Sequence, residues 1–245
     1  MKHKILIIIA LFLSASSLFA QDVDDIINNY FKNTGGADNW KNLKTMQFTA
    51  DVEQGGMQMN MILYTNKDDM RRVDVEFQGS KIIQAYDGEV GWMVNPFMGI
   101  QTPQKMPQEM LDQLNAEKFE SELLNYREKG HNVELEGKEE IEGSEAFKVK
   151  LTKNNGDVEY FYFDTENYVP VMQRQTVKYG PGQGQEAETY IGDYQEVDEF
   201  MMPFLIDTRM NGQSIMKMII KEYVLNEEID ASIFSMPKGS DSPEE

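Results

Sequence analysis

The chain has 245 residues, no cysteine, and 42 acidic against 23 basic side chains, which give a formal net charge of −19. A protein this acidic repels phosphate backbones and anionic headgroups, so neither nucleic-acid binding nor electrostatic docking onto membranes is expected. The missing cysteines exclude disulfides, thiol catalysis and thiolate metal sites, and the length suits one domain with a sizeable core.

The first 20 residues have the pattern of a secretory signal peptide. Lys2 and Lys4 precede an apolar run at 5–13, which is too short to span a bilayer as a helix. Small residues follow, and we predict cleavage after Ala20. Because a lipid-anchored export needs an acylated cysteine, we expect a periplasmic protein without an N-terminal lipid anchor, and we expect a monomer.

An amphipathic helix is predicted directly after the signal peptide. Asp22 suits the N-cap, and the pattern Asn33-Thr-Gly-Gly36 suits the end of the helix. A second short helix is predicted over 37–43. The apolar stripe of the first helix is formed by Val23, Ile26, Ile27, Tyr30 and Phe31. This stripe packs either into an ordinary core or onto an apolar sheet face as a cover.

Short alternating runs predict antiparallel strands in the first half of the chain. Their ranges are 46–52, 57–63, 73–77, 81–86 and 91–94. In the second run, Met57, Met59, Met61 and Leu63 share one face, opposite Gln58 and Asn60.

The middle of the chain is predicted to be a loop over 97–107, followed by a helix over 107–126 with a break near Asn115. Met110, Leu111 and Leu114 lie on the apolar side of this helix. We predict that it is a movable lid, because its long flanking loop leaves it weakly tethered. Two strands, at 133–135 and 146–152, follow.

The run from Val158 to Tyr223 predicts a β-meander with an Asn211-Gly212 hairpin turn. One face of this meander is apolar and carries Phe161, Phe163, Phe204, Ile206, Met216, Met218 and Ile220. Such a face must be covered. The acidic tail at 240–245 is predicted to be disordered.

Two stretches resemble a known family. Residues 87–97 read Asp-Gly-Glu-Val-Gly-Trp-Met-Val-Asn-Pro-Phe, and residues 233–239 read Ile-Phe-Ser-Met-Pro-Lys-Gly. Together with the order of predicted elements, they resemble the LolA-type periplasmic lipoprotein carriers, in a superfamily that includes LolB and RseB-like sensors. The resemblance implies a mainly β fold with helices (α+β). The expected form is an incomplete antiparallel β-barrel whose concave apolar face is covered by the N-terminal helix and the mid-chain lid. One domain over 21–239 is expected.

The resemblance also implies a function. A carrier of this kind would bind the acyl chains of a lipoprotein or lipid without a cofactor and without enzymatic chemistry. It would take this cargo from an inner-membrane transporter to an outer-membrane acceptor. Lys67 is the position nearest to an arginine of the family, although the following proline of the family pattern is missing here. The residues expected to line the lipid site are Met57, Met59, Met61, Leu63, Phe77, Trp92, Met110, Leu111, Leu114, Phe161, Phe163, Met216, Met218 and Ile220.

Other interpretations stay open from the residues alone. The 17 methionines suit an adaptable lipid site, but ordinary core packing gives the same alternating pattern. An envelope sensor or scaffold with the same fold is one alternative. A hydrolase with paired carboxylates is another, although no motif isolates two acids. His131, the sole histidine after the signal peptide, is predicted to lie on the surface, and no metal or nucleotide is expected.

Overall fold

Thirteen antiparallel strands form one open sheet in the computed structural model, which describes residues 22–116, 118–180 and 182–238. The strand order is β6-β5-β4-β3-β2-β1-β13-β12-β11-β10-β9-β8-β7, so β6 and β7 are the two edges and the described sheet does not close. The predicted incomplete antiparallel barrel is therefore confirmed. The predicted cleavage site after Ala20 and the tail at 240–245 lie outside the described residues.

The strands follow the predicted alternating runs closely, with longer bounds in most cases. The first six are β1 Thr45–Gln54, β2 Met57–Asn66, β3 Arg71–Phe77, β4 Ser80–Tyr86, β5 Gly91–Asn95 and β6 Ile100–Lys105. The last seven are β7 Asn132–Ile141, β8 Ser144–Thr152, β9 Val158–Asp164, β10 Pro170–Thr176, β11 Glu186–Val197, β12 Phe200–Met210 and β13 Gln213–Leu225.

The helices are few and short. They are α1 Val23–Asn33, α2 Ala37–Asn42 and α3 Gln108–Ala116, with single 3-10 turns at Pro96–Met98 and Ala231–Ile233. No helix in the described ranges is long and apolar enough to cross a membrane.

A long-range strand pair joins the two predicted runs of hairpins into one sheet. Strand β1 pairs antiparallel with β13, so Met46 lies opposite Leu225 and Gln54 lies opposite Met216. All other neighbouring strands in the sheet are also consecutive along the chain. The centre of the sheet therefore depends on contact between the first and last strands.

The register of paired residues divides the sheet into two faces, because directly paired residues point the same way. In sheet order, one row of paired residues reads Val149, Phe161, Gln173, Thr189, Thr208, Met216, Gln54 and Met57. We call the face that carries this row the inner face. The opposite, outer face carries Tyr162 and Lys217.

Helix α1 covers the inner face over β7, β8 and β9, which confirms the helical cover that the family resemblance implied. The Asp22 side chain caps the helix by accepting from the backbone N–H of Asp24 at 3.3 Å. Ile26, Ile27 and Phe31 are buried in one cluster with apolar residues of the three strands. This half of the inner face is an ordinary packed core.

The predicted helix over 107–126 is wrong in its second half. Helix α3 ends at Ala116. The chain then forms turns that place Leu123 and Leu124 in the core beneath α1, where they are 1% and 2% exposed. A helix continued from α3 would keep these leucines on its own apolar stripe, so burial elsewhere outweighs helical spacing. The ion pair between Lys118 Nζ and Asp69 at 3.0 Å helps to fix this change of direction.

The predicted loop over 97–107 is also wrong. After the 3-10 turn at Pro96–Met98 the chain forms β6, which pairs with β5 at the edge of the sheet. Pro103 lies within this strand. Proline lacks a backbone N–H and is tolerated in strands at a sheet edge, so its presence in the sequence obscured a real strand.

Candidate functional site

Four methionines meet on the inner face, at the centre of the sheet. Met59 and Met61 of β2 and Met216 and Met218 of β13 belong to one apolar cluster, which we call the methionine cluster. Smaller or branched residues between them on the two central strands, Ala50, Val52 and Ile220, are buried, whereas the four methionines are half-buried. The small and branched residues on the strands are therefore shielded from water, but the long thioether side chains around them remain accessible.

Several residues outside the predicted lipid site complete this cluster. Phe48, Ile206 and Tyr223 pack against it, and Tyr223 donates its hydroxyl to the carbonyl oxygen of Pro203 at 2.7 Å. Phe48 alternates with Gln47 and Thr49 in β1, so strand periodicity could have identified it, and Ile206 lies on the apolar face that was predicted for the meander. Phe48 and Ile206 share a face with the methionines because β1 pairs with both β2 and β13, and β12 pairs with β13.

A polar strip lies between part of the methionine cluster and the core beneath α1. It consists of Gln173, Thr189 and Thr208, which lie side by side on β10, β11 and β12. The two threonine hydroxyls are 3.2 Å apart. The inner face therefore has two apolar regions, and the hydroxyl and amide groups between them can hydrogen-bond to a polar part of a ligand.

Phe161 and Phe163 lie on the α1 side of this strip. Phe163 is fully buried, and the ring of Tyr30 from α1 lies 5.5 Å from it. Burial beneath the sheet raises the pKa of Tyr30 to about 12. Phe163 can reach a ligand only if α1 moves, so it is placed with the packed core, while Phe161 is half-buried at the border.

Helix α3 carries three predicted site residues, Met110, Leu111 and Leu114, all of them half-buried. The methyl group of Leu111 lies so close over Gly91 of β5 that a Cβ atom at Gly91 would approach it to 2.7 Å. On its other side, α3 accepts at Glu109 from the backbone N–H of Gly180 at 3.2 Å. The helix therefore links β5 with the β10–β11 loop. In the strand order, β5 lies on one side of the methionine cluster and β10 and β11 lie on the other.

The lid prediction now applies to α3 alone. No side chain of Gln108–Ala116, all of which the structure describes, is buried, whereas Tyr162 and Phe163 of β9 are fully buried. Segments with little buried surface open most easily, so backbone amides of α3 should exchange with deuterium far faster than those of Val158–Asp164. Hydrogen-exchange mass spectrometry measures this directly. Equal protection of the two segments would contradict a movable lid.

Trp92 does not lie with the other predicted site residues. It is on the outer face, 1% exposed, in the row that contains Ala85 and Arg72. Its indole N–H donates to the carbonyl oxygen of Phe234 at 2.7 Å, and Arg72 donates to that of Ile233 at 2.8 Å. The two stretches that carry the family resemblance therefore pack against each other, and the proposed site omits Trp92.

The remaining predicted residues mark the borders of the site. Leu63 and Phe77 share the inner face with the methionine cluster, and Met57 lies where β2 begins, with 44% of its surface exposed. Lys67 is exposed in the turn after β2, where its backbone N–H donates to Lys44. Because Met57 and Lys67 are at opposite ends of the strand, Lys67 does not contact the methionine cluster.

Among the residues that the structure describes, no group of three or more histidine, aspartate or glutamate side chains is arranged to hold a metal ion. The surface prediction for His131 is wrong, because its side chain is 5% exposed. Its ring contacts Glu122 at 3.0 Å and accepts from the Asn154 backbone N–H at 3.1 Å, so it joins turns together.

Comparison with solved structures identifies the fold. A DUF1329 family protein from Desulfovibrio piger aligns with a TM-score of 0.55 and 10% identity over 87% of this chain and 97% of that chain. A LolA superfamily protein from Nitrosomonas europaea gives 0.54 and 10% over 86% and 96%. An outer membrane lipoprotein-sorting protein domain from Vibrio parahaemolyticus gives 0.53 and 10% over 86% and 94%.

These alignments cover nearly the whole of each neighbour, and the fold of this chain is LolA-like. No protein-family model matches the sequence, and no curated protein matches it either. At 10% identity the likeness concerns the arrangement of strands and helices, and the side chains of the site have to be interpreted on their own chemistry.

Proposed function

We propose that this protein is a periplasmic carrier that binds the acyl chains of a lipoprotein or lipid on its methionine cluster and moves them toward the outer membrane. The observation that carries the proposal is the state of this cluster. Four long apolar side chains stay half-buried on the inner face, and helix α3, which contacts Gly91 on one side and Gly180 on the other, buries none of its own residues.

The chemistry of the cluster suits flexible hydrocarbon. An acyl chain gains roughly 0.8 kcal/mol for each methylene group that it transfers from water to an apolar surface. Methionine side chains are unbranched and polarisable, so they can rearrange around chains of different length. The cluster therefore offers affinity without demanding one fixed ligand shape.

The surroundings of the cluster suit loading and release. Opening α3 away from Gly91 and Gly180 would uncover the methionine cluster while leaving the core beneath α1 intact. The polar strip with Thr189 and Thr208 lies beside the cluster, where it can hydrogen-bond to the ester or amide groups of an acylated cargo. The expected partners are an inner-membrane transporter that delivers the cargo and an outer-membrane acceptor that receives it.

Mass spectrometry of the protein, purified from the periplasm without detergent, tests the proposal. We expect a fraction of the native protein to carry one or more acylated molecules, which organic extraction removes and identifies. The extracted protein, returned to buffer, should bind a fluorescent fatty-acid analogue. Protein that carries no acylated molecule and does not bind the analogue would contradict the proposed function.

A further inference from the structure

Four consecutive hairpin tips at one end of the sheet carry no charge. They connect β5 to β6, β3 to β4, β1 to β2 and β12 to β13, whose eight strands are neighbours in the sheet. The tips comprise residues 95–100, 77–80, 54–57 and 210–215, and we call them the uncharged rim. In a chain with 27% charged residues, a run of four uncharged tips is a marked local departure.

The opposite end of the same strands has a net negative charge, because its acidic residues outnumber Lys44, Lys67 and Lys105. The turn after β2 contains Asp68 and Asp69, and the turn after β4 contains Asp87 and Glu89. The turn before β12 contains Asp198 and Glu199, and the chain after β13 contains Glu227 and Glu228. The negative charge is therefore displaced from the uncharged rim by the length of a strand.

The uncharged rim also presents large apolar side chains to water. Phe97 and Met98, at the tip between β5 and β6, are 52% and 62% exposed. Met57 and Ile215, at two other tips, are 44% and 40% exposed. These four residues make up most of the exposed large hydrophobic side chains in the described residues. Exposed apolar residues that gather in one place mark a contact surface.

We propose that the uncharged rim docks on the surface of a zwitterionic lipid membrane, with Phe97, Met98, Met57 and Ile215 inserted among the lipids. Apolar side chains at the ends of hairpins gain free energy when they enter the boundary between headgroups and acyl chains. The glutamine, asparagine and serine residues around them can hydrogen-bond to headgroups. The acidic end points away from the membrane, which lowers the electrostatic cost of docking.

The form of the rim favours lipid over a protein partner. Its apolar residues stand on separate tips, between polar residues, and a fluid lipid surface accommodates such separate points without a matching shape. The methionine cluster begins next to this end, because Met57 is the last residue of its tip and Met59 and Met61 lie further along β2. Docking here would bring the membrane next to the proposed acyl-chain site, so the biological role rests on the proposed function.

Flotation with phosphatidylcholine vesicles tests the proposal, with protein recovered from the periplasm after export. The wild type should float with the vesicles, and the variant Met98→Gln/Ile215→Gln should lose affinity about tenfold for each side chain replaced. Ile219→Gln is the matched control, since Ile219 is 51% exposed on the outer face of β13, away from the rim, and should float like the wild type. Phosphatidylglycerol vesicles at low salt should bind the wild type more weakly, because of the net charge of −19.

Binding of the fluorescent fatty-acid analogue without vesicles keeps this test separate from the proposed function. The rim variant should bind the analogue like the wild type. Membrane docking would be overturned if the wild type does not float, or if the rim variant floats as well as Ile219→Gln. If the wild type does not float, the rim would instead be a contact surface for a protein. A wild type that floats but does not bind the analogue supports docking and contradicts the carrier role.

Discussion

Replacing Met61 with aspartate should abolish the uptake of a fluorescent fatty-acid analogue. Met61 lies within the methionine cluster, half-buried and surrounded by apolar side chains of β1, β2 and β13. A carboxylate placed there must lose hydration when an acyl chain covers it, which costs several kcal/mol without a compensating partner. Titration of the analogue, followed by its fluorescence increase, measures the loss. Circular dichroism confirms that the variant is folded.

Asn60→Asp is the matched control for this change. Asn60 is the preceding residue of the same strand, and its exposed side chain points to the outer face, opposite Glu76. The Asn60→Asp substitution introduces the same charge on the same strand, but outside the methionine cluster. Uptake of the analogue should therefore stay close to that of the wild type. Met218→Gln, on β13, should weaken uptake without introducing a charge. Normal uptake by folded Met61→Asp would show that the methionines are ordinary core and would remove the physical basis of the carrier proposal.

Replacing Trp92 with alanine should cost about 3–5 kcal/mol of unfolding free energy, the usual range for a buried large aromatic residue. Trp92 is 1% exposed and fills the space between the outer face and the chain at 230–238. The substitution leaves a cavity and removes the donor to Phe234, which is itself fully buried. Urea unfolding followed by circular dichroism measures the loss. Phe97→Ala, five residues further along the chain but 52% exposed, should cost less than about 1 kcal/mol.

The same variant tests which face binds lipid. Because Trp92 points away from the methionine cluster, the fraction of Trp92→Ala that remains folded should bind the fatty-acid analogue with the affinity of the wild type. If folded Trp92→Ala protein loses binding while Met61→Asp retains it, the lipid site lies on the outer face, and the assignment of the two faces to their roles is reversed.

Strand periodicity predicted most of the sheet because the information is local. Alternation in 57–63 and 158–164, and the turns Asn155-Gly156 and Asn211-Gly212, determine strands and hairpins from neighbouring residues alone. The same alternation correctly grouped Met59 with Met61 and Met216 with Met218. The relation between these two pairs required the fold, because β1 and β13 are far apart in the chain.

The errors occurred where distant contacts outweigh local pattern. Trp92 and Met93 are neighbours on opposite faces of β5, and both are buried. The chain at 230–238 covers Trp92 on the outer face, and Met93 is buried on the inner face. Alternation in burial is absent there, so the sequence could not say which face Trp92 takes. Leu123 and Leu124 continue the apolar spacing of α3 but pack beneath α1, for which no local signal exists.

The pairing of β1 with β13 also bears on when the chain can fold. The strands β1–β6 and β7–β13 can each form hairpins from local contacts, but the central pair waits until the last strand is available. Until then β1 and β12 have open edges, which invite pairing with other chains. The chain is therefore most prone to aggregation before β13 is available, because two strand edges at the centre of the sheet are unpaired until then.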